Sequence, residues 1–272
     1  MDAPVAGRTQ DAPPLLQLLK LLRVAAHLTQ ALATAAFVFP WCSSTRRDAL
    51  VRGWSAGLLA ILRVRVRVSG PVPGADVPAV IVANHISWLD IWLIDSQRAC
   101  RFVAKSEVRD WPLVGWLAHK AGTLFIQRAR RHHTAALNER IRAALEEHAS
   151  VAIFPEGTTS DGRRLRRFFT SLLQPAADAG APLIPVAIRY VAQDGGVDLA
   201  PAYIDDMTLV DSLKTIVAAR ELRAELRFLP PIETRGKTRR DIARAAQDAI
   251  AAALNLPSPG TTPETASDPP DA

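Results

Sequence analysis

The chain has little with which to hold a metal or a disulfide framework. Its 272 residues contain two cysteines, Cys42 and Cys100. That count excludes a stapled secreted scaffold and fits free thiols in a reducing compartment. Six histidines include no His-Glu-x-x-His, and the adjacent His132 and His133 lack a partner at metal-ligand spacing, so no metal is expected. The first fourteen residues are polar and proline-containing, with Asp2 and Asp11, which is unlike a secretory leader. Aromatics are sparse and no nucleic-acid reading module is recognisable, which weighs against a nucleic-acid partner. No internal repeat stands out. What is present is an apolar share of 49%, enough for a sizeable core in one large domain or two small ones. The net charge of +6 fits an acidic membrane surface, a phosphorylated substrate, nucleic acid, or plain solubility.

Residues 24–45 carry no charged side chain, long enough to weigh as a membrane span. Yet Gln17, Lys20, Arg23, His27, Gln30 and Thr34 recur every three or four residues. On a helix they make a polar stripe beside a broad face of Leu, Ala, Val and Phe. Such a helix suits the membrane interface, its stripe turned to water or headgroups, with Arg46, Arg47 and Arg52 placed to meet phosphates after Pro40 and Trp41 end it. A second helical pattern covers about 48–62. Together they predict a membrane-binding helical hairpin over 15–62, after an unstructured stretch 1–14. A pair of core helices and a single span are the alternatives.

Arg63-Val-Arg-Val-Arg-Val68 alternates with period two, the mark of a half-buried strand with one basic face. After the turn Gly70-Pro-Val-Pro-Gly74, short β-branched runs at 79–83, 101–104, 123–126, 151–154 and 183–188 alternate with helical patterns at about 88–97, 107–119, 133–148 and 169–179. A strand near 222–229 and a helix near 238–254 follow. The alternation predicts an α/β fold over 63–254, with a mixed, largely parallel sheet flanked by helices. Residues 255–272, rich in Pro, Thr, Ser and acids, read as a disordered tail.

Gly53-Trp-Ser-Ala-Gly57 matches the Gly-x-Ser-x-Gly elbow of serine lipases, which would make Ser55 a nucleophile. That elbow needs a sharp strand-to-helix turn. Here the helical pattern runs through the motif, and two glycines four apart form a packing face instead.

Four other segments carry chemistry. Asn84-His-Ile-Ser-Trp-Leu-Asp90 follows a strand directly, where catalytic groups of α/β sheets gather. A histidine there can take a proton from a hydroxyl, and a carboxylate can fix its tautomer. Residues five apart do not meet on a regular helix, so His85 and Asp90 pair only if the histidine sits in the turn and the aspartate in the first helical turn. Gly122-Thr-Leu-Phe-Ile-Gln-Arg128 ends a strand on an arginine that could grip a phosphate or simply face solvent. Phe154-Pro-Glu-Gly-Thr-Thr-Ser160 combines a carboxylate, a glycine and three hydroxyls. Arg163, Arg164, Arg166 and Arg167 follow as a steering cluster or a solvated face. Pro182-Leu-Ile-Pro-Val-Ala-Ile188 is a buried strand with two prolines.

In this order the four segments, spanning about 78–190, resemble the blocks of the 1-acylglycerol-3-phosphate (lysophospholipid) acyltransferase family. The resemblance implies His85 as general base and Asp90 as its partner, with Arg128, Glu156 and Gly157, joined by Thr158 of the same loop, holding the acceptor. It implies acyl carrier protein or coenzyme A thioester as donor, a lysolipid as acceptor, no cofactor, and a place at the cytoplasmic face of the inner membrane, monotopic or single-span. The acceptor it points to first is 1-acylglycerol-3-phosphate. Two departures, Gln127 where many members have Asp and Thr159 where many have Arg or Lys, point to lyso-ornithine lipid as the alternative. Outside this class, a serine lipase or a non-catalytic basic binder of membrane or nucleic acid would be the competitors.

Overall fold

A computed structural model describes residues 10–74, 77–126 and 131–259. Within them the β-branched runs become seven strands: β1 (Val64–Ser69), β2 (Val80–Ala83), β3 (Cys100–Lys105), β4 (Leu124–Ile126), β5 (Ser150–Ile153), β6 (Leu183–Tyr190) and β7 (Leu222–Phe228). They form one sheet in the order β1-β7-β6-β2-β5-β3-β4. Every neighbouring pair is parallel except β6 and β7, as the sequence predicts for a largely parallel sheet. The helices are α1 (Pro14–Ala33), α2 (Ser44–Ile61), α3 (Leu89–Gln97), α4 (Val114–Lys120), α5 (Arg131–Glu146), α6 (Gln174–Ala179), α7 (Leu209–Ala218) and α8 (Arg239–Leu254).

Each face of the sheet carries its own core. On one face Ile81, Ile188, Tyr190 and Leu226 pack with Leu58, Leu59 and Leu62 of the α2 end, Leu89 and Leu93 of α3, and Ile216 of α7. On the other, Val80, Val82 and Ile153 meet Leu137 and Ile141 of α5 and Ile242, Ala246 and Ile250 of α8. The central strands β2 and β5 are buried throughout, as expected for strands covered on both faces.

Several local expectations give way to specific residues. The single helix expected over 107–119 is a 3-10 turn (Ser106–Asp110) followed by α4, because Pro112 and the left-handed Leu113 (φ 62°) interrupt it. The helix expected over 169–179 starts as a 3-10 turn (Thr170–Leu173), and Pro175 sits in the first turn of α6. Helix α7 was not visible in the sequence pattern, although Thr208 caps it by accepting from the Asp211 amide. Residues 10–13, expected to be unstructured, are laid against the α7–β7 connection. There Ala12 N donates to Ala218 O (2.6 Å) and Arg220 N to Gln10 O (2.8 Å). Residues 255–259, expected to begin a disordered tail, fold back on α8, where Gln247 donates to Pro259 O.

The N-terminal hairpin forms with part of its expected polar stripe turned inward, while Arg23 and Gln30 of that stripe stay exposed. Gln17 donates to Ala12 O (2.8 Å), buried Lys20 donates to Ala219 O (2.6 Å), and His27 Nε2 donates to Trp54 O (2.8 Å). The stripe thus fastens α1 to α2 and to the C-terminal end of α7, where carbonyls lacking helical partners attract a cation. Burial, with Arg63 nearby, pushes the Lys20 pKa down to about 8. The face left outside is apolar: Leu15, Leu18, Leu22, Phe37 and Trp41 are exposed. The run Pro14–Trp41 is long and apolar enough to cross a membrane, but α1 is hydrogen-bonded to the rest of the fold at two points, Lys20 to the end of α7 and His27 to α2. Trp54 and His27 stack at 4.6 Å, directly over Gly57, where a Cβ would come within 2.8 Å of the imidazole.

Candidate active site

At the end of β2 the backbone ladder is continued by a side chain. Asn84 donates to Ile188 O (2.9 Å) and accepts from Ile188 N (2.8 Å), which pins the strand end to β6. The chain then leaves the sheet, and His85 falls in the turn with Asp90 in the first turn of α3. This is the arrangement their five-residue spacing requires. His85 Nδ1 lies 2.9 Å from Asp90 Oδ2. The same oxygen accepts from the amides of Ile86 (2.7 Å) and Ser87 (2.9 Å), while Oδ1 accepts from the Tyr190 hydroxyl (2.8 Å). Asp90 is fully buried and its oxygens only accept, so Nδ1 carries the imidazole hydrogen and Nε2 keeps its lone pair.

The imidazole is fixed from the side and from its own backbone. It stacks on Phe154 at 3.9 Å, 9° from parallel. His85 N donates to Glu156 Oε1 (2.8 Å), and His85 O accepts from Ser160 N (2.9 Å). Gly162, left-handed at φ 74°, lies so close to Ile86 that a Cβ would reach 2.9 Å from its Cδ1.

The loop after β5 therefore serves the loop after β2. Glu156, read from the resemblance as an acceptor-holding group, is buried with both oxygens engaged by backbone amides, the second by Arg166 N at 2.9 Å. Its place is behind His85. Of the three hydroxyls, Thr159 donates to Tyr203 O and Ser160 to His85 O. Thr158 is the exposed one, next to Gly157, which is left-handed at φ 70°. Gln127 and Arg128 lie outside the described residues. Two contributors escaped the sequence reading. Tyr190 lies just past the apolar run 183–188, where a buried phenol must donate to something. Phe154 was counted only as the start of a motif. At the start of α3 two amides are already engaged, since Leu89 N donates to Ser87 Oγ and Asp90 N to Ser87 O.

The lipase elbow finds no support here. Ser55 lies in the middle of α2, fully buried, donating to Val51 O at 2.8 Å. There is neither strand nor turn at that point, so the serine has no nucleophile's exposure.

Burial pushes the Glu156 carboxyl from the ordinary 4.5 up to about 7, against the amides of His85 and Arg166. The folded chain thus holds this proton more tightly than the unfolded chain does. The stabilisation is greatest below about pH 4.5 and is lost as pH rises towards 7, a swing on the order of 3 kcal/mol. Melting temperatures of the native chain and of Glu156→Gln, taken from pH 5 to 8, are expected to shift progressively in favour of the variant as pH rises. A constant difference would show that Glu156 titrates as an ordinary carboxylate.

A histidine held by a buried carboxylate at the carboxyl end of a parallel strand, with the Nε2 lone pair able to take a hydroxyl proton, fits the chemistry of acyl transfer to an alcohol. The Acyltransferase family matches residues 63–189, the stretch containing His85, Asp90, Phe154 and Glu156. The chain is 41% identical over 208 residues to the lyso-ornithine lipid O-acyltransferase of Pseudomonas aeruginosa, covering 76% of this chain and 79% of that protein. It is 34% identical over 188 residues to the 1-acyl-sn-glycerol-3-phosphate acyltransferase of Neisseria meningitidis, covering 69% and 73%. The crystal structure of the 1-acyl-sn-glycerophosphate acyltransferase PlsC from Thermotoga maritima superposes with a TM-score of 0.69 at 21% identity, over 89% of this chain and 94% of that one. The chain is an acyltransferase and belongs to the lysophospholipid acyltransferase family.

Proposed function

We propose that the chain is a lyso-ornithine lipid O-acyltransferase. The observation that carries this choice is Thr159. Where many family members place Arg or Lys, this chain has a hydroxyl that is tied to the Tyr203 carbonyl, so the loop presents no cation at that point to an acceptor phosphate. Relatives named for the ornithine acceptor, at 41% and 36% identity, support the same reading. It reverses the order in which the sequence ranks the two acceptors. The second reading, 1-acylglycerol-3-phosphate, rests on Arg128 in its Gly-x-x-Phe-Ile-x-Arg segment and on relatives so named at 34%.

In this reading Nε2 of His85 takes the acceptor hydroxyl proton as that oxygen attacks the thioester carbonyl. The tetrahedral intermediate then collapses, the carbon–sulfur bond breaks, and His85 returns the proton to the leaving sulfur. Asp90 steadies the imidazolium formed between the two steps. The Trp88 amide, not taken by Asp90 or Ser87, is the backbone donor we assign to the oxyanion. The donor is an acyl carrier protein or coenzyme A thioester, and no cofactor is needed. The exposed apolar face of α1 lies in the cytoplasmic leaflet of the inner membrane without crossing it, since a span would break the Lys20 bond to the end of α7 and the His27–Trp54 bonds to α2.

The test is steady-state transfer from one labelled thioester to lyso-ornithine lipid and to 1-acylglycerol-3-phosphate. The ornithine acceptor is expected to have the higher kcat/KM by about tenfold or more, a difference of one charge-assisted contact. Arg128→Ala is expected to leave its use unchanged. A preference for the phosphorylated acceptor, lost in Arg128→Ala and only partly restored by Arg128→Lys, would favour the second reading. Transfer to neither would remove both.

A further inference from the structure

We propose that the open face of the sheet at β1, β7 and the end of β6 is a docking surface for an acidic carrier protein bearing the acyl thioester, an inference that rests on the acyl-transfer reading above. Alternation along β1 sends Val64, Val66 and Val68 into the core beneath α2 and places Arg65, Arg67 and Ser69 on the opposite face. Register then sets these positions side by side: Arg65 stands beside Arg223, Arg67 beside Glu225, and Ser69 beside Arg227, with Arg189 of β6 across from Glu225. Helix α8 packs on β6 and reaches β7 at its C-terminal end, where Arg227 donates to Ala253 O (3.2 Å). Beyond that end no element of the described residues packs on this face, and the Arg65 side chain is 77% exposed.

Five guanidinium groups thus share one surface with two carboxylates, Glu225 and Glu221. The latter is bridged to Arg65 at 2.7 Å and to Arg223 at 3.5 Å. The outward positions of β1 and β7 hold no apolar side chain, so this surface lacks what a bilayer interface would bury. It also lies on the face of the sheet opposite α2, so the apolar hairpin and the basic surface do not share a side. A soluble, acidic partner fits both facts.

The position suits delivery to His85. Strands β7 and β1 run opposite to β2, so Arg65 and Arg223, early in their strands, lie towards the edge where β2 ends. At ordinary strand spacing β1 is about 14 Å from β2 across the sheet, and because Arg189 and Tyr190 face opposite sides, the way from this surface to His85 runs around the strand ends. Carrier proteins hold their thioester on a long flexible arm, which suits such a gap.

The experiment compares three donors in the full-length enzyme with one lysolipid: palmitoyl acyl carrier protein, palmitoyl-coenzyme A, and uncharged palmitoyl-pantetheine. In Arg65→Gln/Arg67→Gln/Arg223→Gln, kcat/KM for the carrier-protein donor is expected to fall about thirtyfold at low salt, the loss shrinking as salt screens it. Palmitoyl-pantetheine is expected to stay within about twofold, which also certifies the fold. Glutamate at the same positions is expected to deepen the first effect and spare the second. An equal loss with all donors would mark damage to the site, and a loss with coenzyme A alone would mark a nucleotide subsite. No loss with the carrier donor, or weakened binding to anionic vesicles instead, would equally overturn the proposal. No transfer from any donor by the unmodified enzyme would remove the acyl-transfer reading itself.

Discussion

His85→Ala is expected to lower acyl transfer by roughly 10³–10⁵-fold while leaving the protein folded. A missing general base alone typically costs about 10²–10⁴-fold. Here the same nitrogen also aligns the attacking hydroxyl, which adds to the loss. Folding is expected to survive, because the His85 backbone rather than its ring is bonded to Glu156 and Ser160. Asp90→Asn is expected to come close to the alanine variant. Its amide would turn a donor towards the Ile86, Ser87 and His85 hydrogens or towards the Tyr190 hydroxyl, and the imidazole would lose its set tautomer. Purified variants compared for turnover and for melting temperature settle the point. A His85→Ala enzyme that retains more than a tenth of native turnover would sink the assignment.

Deleting residues 1–62 is expected to unfold the protein rather than merely release it from membranes. The end of α2 contributes Leu58, Leu59 and Leu62 to the core shared by β2, β6 and α3. Each such buried leucine is worth about 2–5 kcal/mol when removed, against a total stability for a domain of about 5–15 kcal/mol. Losing three, with the Lys20 and Ala12 bonds to the α7–β7 connection, exceeds what remains. The hairpin's membrane role is separable only from its outer face. Leu18→Gln/Leu22→Gln/Phe37→Gln/Trp41→Gln changes side chains that are 54%, 60%, 76% and 89% exposed. It is expected to keep the native melting temperature and abolish binding to anionic vesicles. A soluble, cooperatively folded 63–272 fragment would show that the hairpin is a detachable anchor after all.

The sheet was legible because its strands are short β-branched runs separated by helical periods, and the His85–Asp90 pair because its spacing permits contact in one local geometry. The pattern was blind to facing. The period of α1 marks a polar stripe at Gln17, Lys20 and His27, but both an inward and an outward stripe give the same period. Only the carbonyls at the end of α7, distant in sequence, decide it. Glu156 was misplaced for a related reason. A carboxylate beside a glycine and hydroxyls looks like a ligand set, and its two amide partners, His85 and Arg166, come from separate loops. Tyr190 carried a usable signal, a phenol at the end of a strand whose inward side is otherwise apolar, and the search for its acceptor leads to Asp90.

The pinning of His85 on both sides of its backbone has a consequence for fidelity. In the proposed mechanism, an imidazole fixed before any lipid arrives does not itself select which hydroxyl it faces. A water molecule in the same position would be activated as readily, and the thioester would be spent by hydrolysis. Discrimination therefore falls on who gains entry: a donor admitted to an occupied, dehydrated mouth transfers its chain, and one admitted early leaks it.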